Sequence, residues 1–237
     1  MISDASDDGA LVEHSASVFS ILMTLPPSGV LFGCARGLFN LIPRVLTVCK
    51  RMAAEMGNHL LASSSSSYYD NKDAGEFTRH HGQVSHATEQ ARLGLVGQVS
   101  RWQPECSSDD DVGMATAGRL YQLALSALLY TDCYDPHMQD LLNRVPDLLQ
   151  LIPATCSVST VLCWPLSVIG SVVQADGCRF AIRDYLVEMS AWYKFANIRQ
   201  TVELLDELWS MTDPPRVSGG LTVRYMMKRN GNYFILA

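Results

Sequence analysis

Histidines, cysteines and clustered carboxylates are the residues of this 237-residue chain that could carry chemistry. His80, His81 and His86 form the one histidine cluster, in a polar stretch beside the serine run Ser63–Ser67. A structural zinc site needs four ligands in a tetrahedral array, usually with cysteine or acid at set spacing. None stands beside these histidines, and they read as a solvated loop. Asp109-Asp110-Asp111 has the opening of an aspartate-rich magnesium motif, but the acid that motif needs at position 113 is Gly113. No matching Asn/Asp…Ser/Thr…Glu motif follows on a later helix, so the run reads as an acidic surface loop. Nucleophile elbows, phosphate loops, dinucleotide fingerprints and H-E-x-x-H helices are all missing. Acid–base work needs two carboxyls in a shared, partly buried site. Asp184, Glu188, Glu203, Asp206 and Glu207 instead fall mostly on the polar sides of their helices. These observations offer no catalytic residue, no metal ligand set and no cofactor site, and they predict a protein that is not an enzyme.

The seven cysteines (34, 49, 106, 133, 156, 163, 178) are odd in number and contain no C-x-x-C. Several lie in apolar stretches, where a free thiol behaves as a small hydrophobe. A disulfide framework favours an even count in a short secreted chain, so a reducing, intracellular compartment fits better. The N-terminus opens with acids rather than the basic region of a secretory signal.

Elements that would position these residues follow from composition and period. Apolar residues make up 48% and charged residues 18%, below the usual charged share of about 25%. That balance excludes disorder, which needs low hydrophobicity and high net charge. Two apolar runs, Val18–Gly33 and Val158–Val173, are interrupted by proline and fall short of the ~18–20 clean residues of a spanning helix. They read as buried helices, with no membrane association. Apolar residues recur at helical spacing over 30–61, 87–102, 116–130, 183–196 and 198–209, while Asp135-Pro136 marks a further helix start. That last helix could run to Ile152, with a kink or restart at Pro146. Strict alternation is confined to a stretch near Tyr225–Leu236. Heptads and fixed 30–45-residue repeats are absent. The expected fold is all-α, an irregular multi-helix array. Residues 1–29 read as a flexible acidic segment and 30–237 as one helical domain with loops near 63–86 and 104–115.

One segment is more distinctive. Val161-Leu162-Cys163-Trp164-Pro165-Leu166 is followed by Gly170, Arg179, Arg183, Leu186, Asn197 and Leu204-Leu205…Trp209. This order resembles the C-terminal half of the fungal-specific transcription factor domain, the helical regulatory region of fungal activators with a two-zinc, six-cysteine DNA-binding cluster. The helix with Tyr121, Ala124, Ala127, Leu128 and Tyr130, the Trp102-x-Pro104 step and the closing Tyr233–Ala237 are similar to family features too. The resemblance covers roughly 30–237 and is strongest over 116–210. It implies a regulator in the nucleus that acts through co-regulators or a related full-length regulator, or responds to a small-molecule effector. A non-functional fragment would instead remain in the cytoplasm. The departures matter as well: only Cys156-x6-Cys163 shares a spacing with the zinc cluster, which leaves a truncated product or a cluster-less relative.

The chemistry of the resembling residues suits a scaffold. Trp164 offers a large contact area, Pro165 stops or kinks its helix, and Gly170 permits close helix approach. Arg179 and Arg183, four apart, share a helix face and can cap carbonyls or pair with Asp176 or Glu207. Together with Trp209 these positions are expected either to pack the core or to line an effector pocket between helices. The alternatives are an all-α small-molecule enzyme and a helical interaction scaffold. The net charge of −6 speaks against direct nucleic-acid binding, which favours a basic balance.

Overall fold

Prolines decide where several helices begin. The computed structural model describes residues 30–64, 84–104, 112–130 and 135–211. Its helices are α1 (Val30–Phe39), α2 (Ile42–Ser64), α3 (His86–Arg101), α4 (Val112–Leu129), α5 (Pro136–Leu142), α6 (Val145–Gln150), a 3-10 turn at Ser157–Val161, α7 (Cys163–Val172), α8 (Asp176–Tyr193) and α9 (Ala196–Ser210). Among the described residues there is no strand, so the chain is all-α as expected.

Two helices expected to be continuous are broken. The helical period over 30–61 is split at Asn40-Leu41, because Pro43 cannot donate to the Phe39 carbonyl and its ring would strike it. Leu41 N–H instead turns back to the Leu38 carbonyl at 2.9 Å. The apolar run 158–173 is likewise a 3-10 turn and then α7, so Trp164-Pro165-Leu166 opens a helix rather than closing one. Proline is tolerated there because the first turn of a helix has no intrahelical acceptors for its N–H groups. Pro146 acts in the same way at the start of α6, and here the predicted restart is what the chain does. Within the expected loops, helix reaches to Ser64, His86 begins α3, and α4 starts at Val112. His80, His81, the acidic run 105–111, residues 1–29 and the C-terminal stretch from 212 lie outside the described residues.

The central element is α4, which packs against α1, α2, α3, α5, α6, α7 and the 3-10 turn. Its sequence explains this: Ala117, Gly118, Leu120, Tyr121, Ala124 and Leu125 are all buried, and Arg119 is its only charge. A helix apolar around most of its circumference belongs in the interior. At Gly118 a Cβ would stand 2.6 Å from the Trp102 ring, so this glycine is what lets the end of α3 lie on α4. The antiparallel pair α8–α9 turns at Lys194, whose φ of 59° caps α8 in the left-handed region.

Candidate functional site

The seam where α7 meets α4, α8 and α9 holds the six positions singled out from sequence. Trp164 is half-buried and stacks on Tyr121 of α4, with centroids 5.5 Å apart, while Phe39 of α1 tilts onto the same Tyr121 ring at 4.9 Å. Pro165, buried at the third position of α7, leaves the Val161 carbonyl without a helical donor. The Tyr121 hydroxyl supplies one, donating to Val161 O at 2.7 Å. Burial drives the Tyr121 phenol pKa well above its ordinary value, which keeps it a donor.

Gly170 is buried on the opposite turn of α7. Its carbonyl accepts the Trp209 indole N–H at 2.9 Å. A Cβ there would come within 2.9 Å of both Leu205 methyls and 3.4 Å of the Trp209 ring, so the glycine sets how closely α9 lies on α7. Cys163 adds a buried polar contact across the same pair, its thiol 3.1 Å from the Thr201 hydroxyl. Desolvation raises the Cys163 pKa, so this thiol packs as a neutral group.

The two arginines share a helix face but do different work. Arg179 donates from Nε to the Val173 carbonyl at the end of α7, 3.0 Å away, and lies 3.7 Å from Asp176. Arg183 grips Asp206 of α9 with two parallel bonds, Nε to Oδ1 at 2.8 Å and Nη2 to Oδ2 at 3.0 Å. Across α8–α9 the acid that Arg183 meets is thus Asp206, rather than Asp176 or Glu207, the acids expected from sequence. Sequence reasoning named neither Asp206 nor Tyr121 as a partner. Helical spacing places a residue on a face of its own helix, and the rotation of the neighbouring helix decides which acid meets it.

A second polar cluster escaped the sequence altogether. Glu55 of α2 accepts from Ser85 N at 2.7 Å, from Ser85 Oγ at 2.9 Å and from Thr88 Oγ1 at 2.8 Å, while Ser85 itself caps α3. A capping box would place its acid three residues after Ser85. That position is Thr88, and the acid arrives from another helix. The Ser85 N–H, then the Thr88 hydroxyl, hold the Glu55 carboxyl below its ordinary pKa.

Among the described residues no group of three or more His, Cys, Asp or Glu side chains converges as a metal site. Cys156 is partly exposed and Cys163 is buried, and both are free thiols. No described helix is long and apolar enough to cross a membrane. What the seam does, chemically, is fasten α7 to its neighbours through an aromatic stack, a glycine contact and the Arg179 anchor, while Arg183 ties α8 to α9.

Comparison with curated proteins and with solved structures gives no match. Residues 11–237 match the fungal specific transcription factor domain, nearly the whole chain and all of the seam. The chain thus belongs to the fungal specific transcription factor domain family.

Proposed function

We propose that this chain is a regulatory domain of the fungal zinc-cluster type that acts in the nucleus by binding partners rather than by gripping DNA itself. Family membership over residues 11–237 carries the reading, and it implies a role in transcription rather than in metabolism. The seam supports it at the residue level. Trp164, Pro165, Gly170, Arg179, Arg183 and Trp209 are engaged in packing, capping and two ion pairs, as a scaffold requires. The partners are transcriptional co-regulators or a related full-length regulator.

A small-molecule effector belongs to the same reading, with the α7–α9 seam as its seat, since ligands of helical arrays sit between helices. The seam is closed tightly around Gly170, so an effector would act by favouring a parted state over the packed one.

The test is a tethering experiment. The chain, fused to an unrelated DNA-binding module, is expected to raise or lower a reporter gene carrying that module's site. An unchanged reporter, with the fusion expressed and nuclear, would falsify the proposal. Turnover of a metabolite by the purified chain, abolished by changing one acid, would favour the enzyme alternative.

A further inference from the structure

Charge is segregated along this chain in a way its packing does not use. Residues 112–211 carry six Lys and Arg against ten acids, whereas residues 30–64 carry four cations, Arg36, Arg44, Lys50 and Arg51, and a single acid, Glu55. All four cations are exposed. Glu55 is already engaged by Ser85 and Thr88; it lies near enough to feel Arg51 electrostatically, but the two form no ion pair.

The register of α2 against α3 gathers more charge at one end of this face. Arg44 Nη1 donates to the neutral Gln98 at 2.8 Å, and Glu55 meets Ser85, so the two helices run antiparallel. Arg101, about one turn beyond Gln98, is thereby level with the α1–α2 turn, and its Nε bonds the Gly97 carbonyl at 2.9 Å. Elsewhere Arg92, Arg179, Arg183 and Arg199 each stand within ion-pair distance of an acid, whereas the scattered Arg119, Arg144 and Lys194 do not pair with a described acid. Among the described residues no carboxylate does so for Arg36, Arg44, Lys50, Arg51 or Arg101.

From this we infer that the exposed basic face of α2, extended by Arg36 and Arg101, is a docking surface for an acidic segment of a partner polypeptide. The inference rests on the proposed function, in which the domain acts through protein partners. Guanidinium groups bind carboxylates through parallel, charge-assisted hydrogen bonds, and four of the five cations, Arg36, Arg44, Arg51 and Arg101, can present that fork without first breaking an ion pair with a described acid. A duplex fits less well. Arg44 and Arg51 are seven residues apart, about 10 Å along the helix, and the net charge of −6 repels a long polyanion brought to the rest of the surface.

The test uses the full chain and a fluorescent peptide of Asp, Glu and Ser, compared with the same peptide carrying Asn and Gln. Anisotropy is expected to rise with the acidic peptide alone, and added salt should weaken binding because exposed charges are screened. The double variant Arg44→Glu/Arg51→Glu should weaken Kd by about tenfold or more, while Arg199→Glu on α9 should change it by less than about twofold. If the double reversal loses helicity by circular dichroism, Arg44→Gln/Arg51→Gln replaces it. No binding by the native chain, equal weakening by Arg199→Glu, or duplex DNA bound as tightly as the peptide would each overturn the surface. The tethered reporter separates the two proposals. A working reporter that ignores the double variant removes this surface and leaves the regulator, while a silent reporter with intact peptide binding removes the regulator and leaves the surface.

Discussion

Tyr121 repairs from one helix a backbone defect made in another. Pro165 leaves the Val161 carbonyl without its helical donor, and the Tyr121 hydroxyl takes that place at 2.7 Å. Leu142 repeats the arrangement: Pro146 cannot donate to its carbonyl, and the Cys178 thiol approaches it at 3.4 Å. Tyr121→Phe keeps the aromatic stack and removes the donor, so it should lower stability by about 1–3 kcal/mol, the cost of an unpaired buried polar group. An unchanged urea midpoint would mean that water reaches Val161. Gly170→Ala tests the closest approach of α7 and α9. The added methyl meets the fully buried Leu205 at 2.9 Å, and overpacking of this kind costs roughly 1–3 kcal/mol. The better helix propensity of alanine offsets at most about 1 kcal/mol of that. A net loss is expected in chemical denaturation, and a stabilised variant would show that α9 can shift freely.

At the scale of elements, the joints between helices carry the testable chemistry. Lys194 ends α8 at φ 59°, a region that costs a side-chain-bearing residue roughly 1–2 kcal/mol relative to glycine. Lys194→Gly should therefore raise the melting temperature, and a fall would indicate that the lysine side chain holds the turn. The α2–α3 joint depends on Glu55 being charged. Its pKa is depressed in the folded chain, by the Ser85 N–H first and by the Thr88 hydroxyl next. Its stabilising effect is complete above the carboxyl's unfolded pKa and fades as pH falls through the lower, folded one. Glu55→Gln should be less stable than the native chain near neutral pH, with the gap closing below the ordinary carboxyl value of 4.5. Urea midpoints measured from about pH 7 to about pH 3 check this, and a gap of constant size would place the stabilisation elsewhere.

For the molecule as a whole, one continuous core joins α1 through α9 around α4, so its thiols should report a single cooperative opening. Burial pushes Cys49 up to about 12 and Cys178 up to about 11, and the thiolate is the reactive form. Peptide mapping after mild alkylation should find both unlabelled in the native chain and labelled together in denaturant. Labelling of Cys178 well before Cys49 would show that the α7–α9 half opens on its own. Much of this architecture was legible beforehand. The all-α class, a kink or restart at Pro146 and the resemblance through Trp164-Pro165 and Trp209 follow from period, proline and residue order, which are local properties. The break at Asn40-Leu41 was legible only in part, since the apolar period runs unbroken through Pro43 and masks the lost hydrogen bond. Which groups meet was not legible at all. Asp206 for Arg183, Tyr121 for Val161 and Glu55 for Ser85 lie 23 to 40 residues apart in sequence, and helix period says nothing about the rotation of one helix against another. The sequence by itself determined the helices, their buried faces and the family, because backbone hydrogen bonding and apolar spacing act over a few residues. Only the tertiary structure decided the polar partners and the basic face of α2 that no described carboxylate pairs, because both depend on how separate helices are packed side by side.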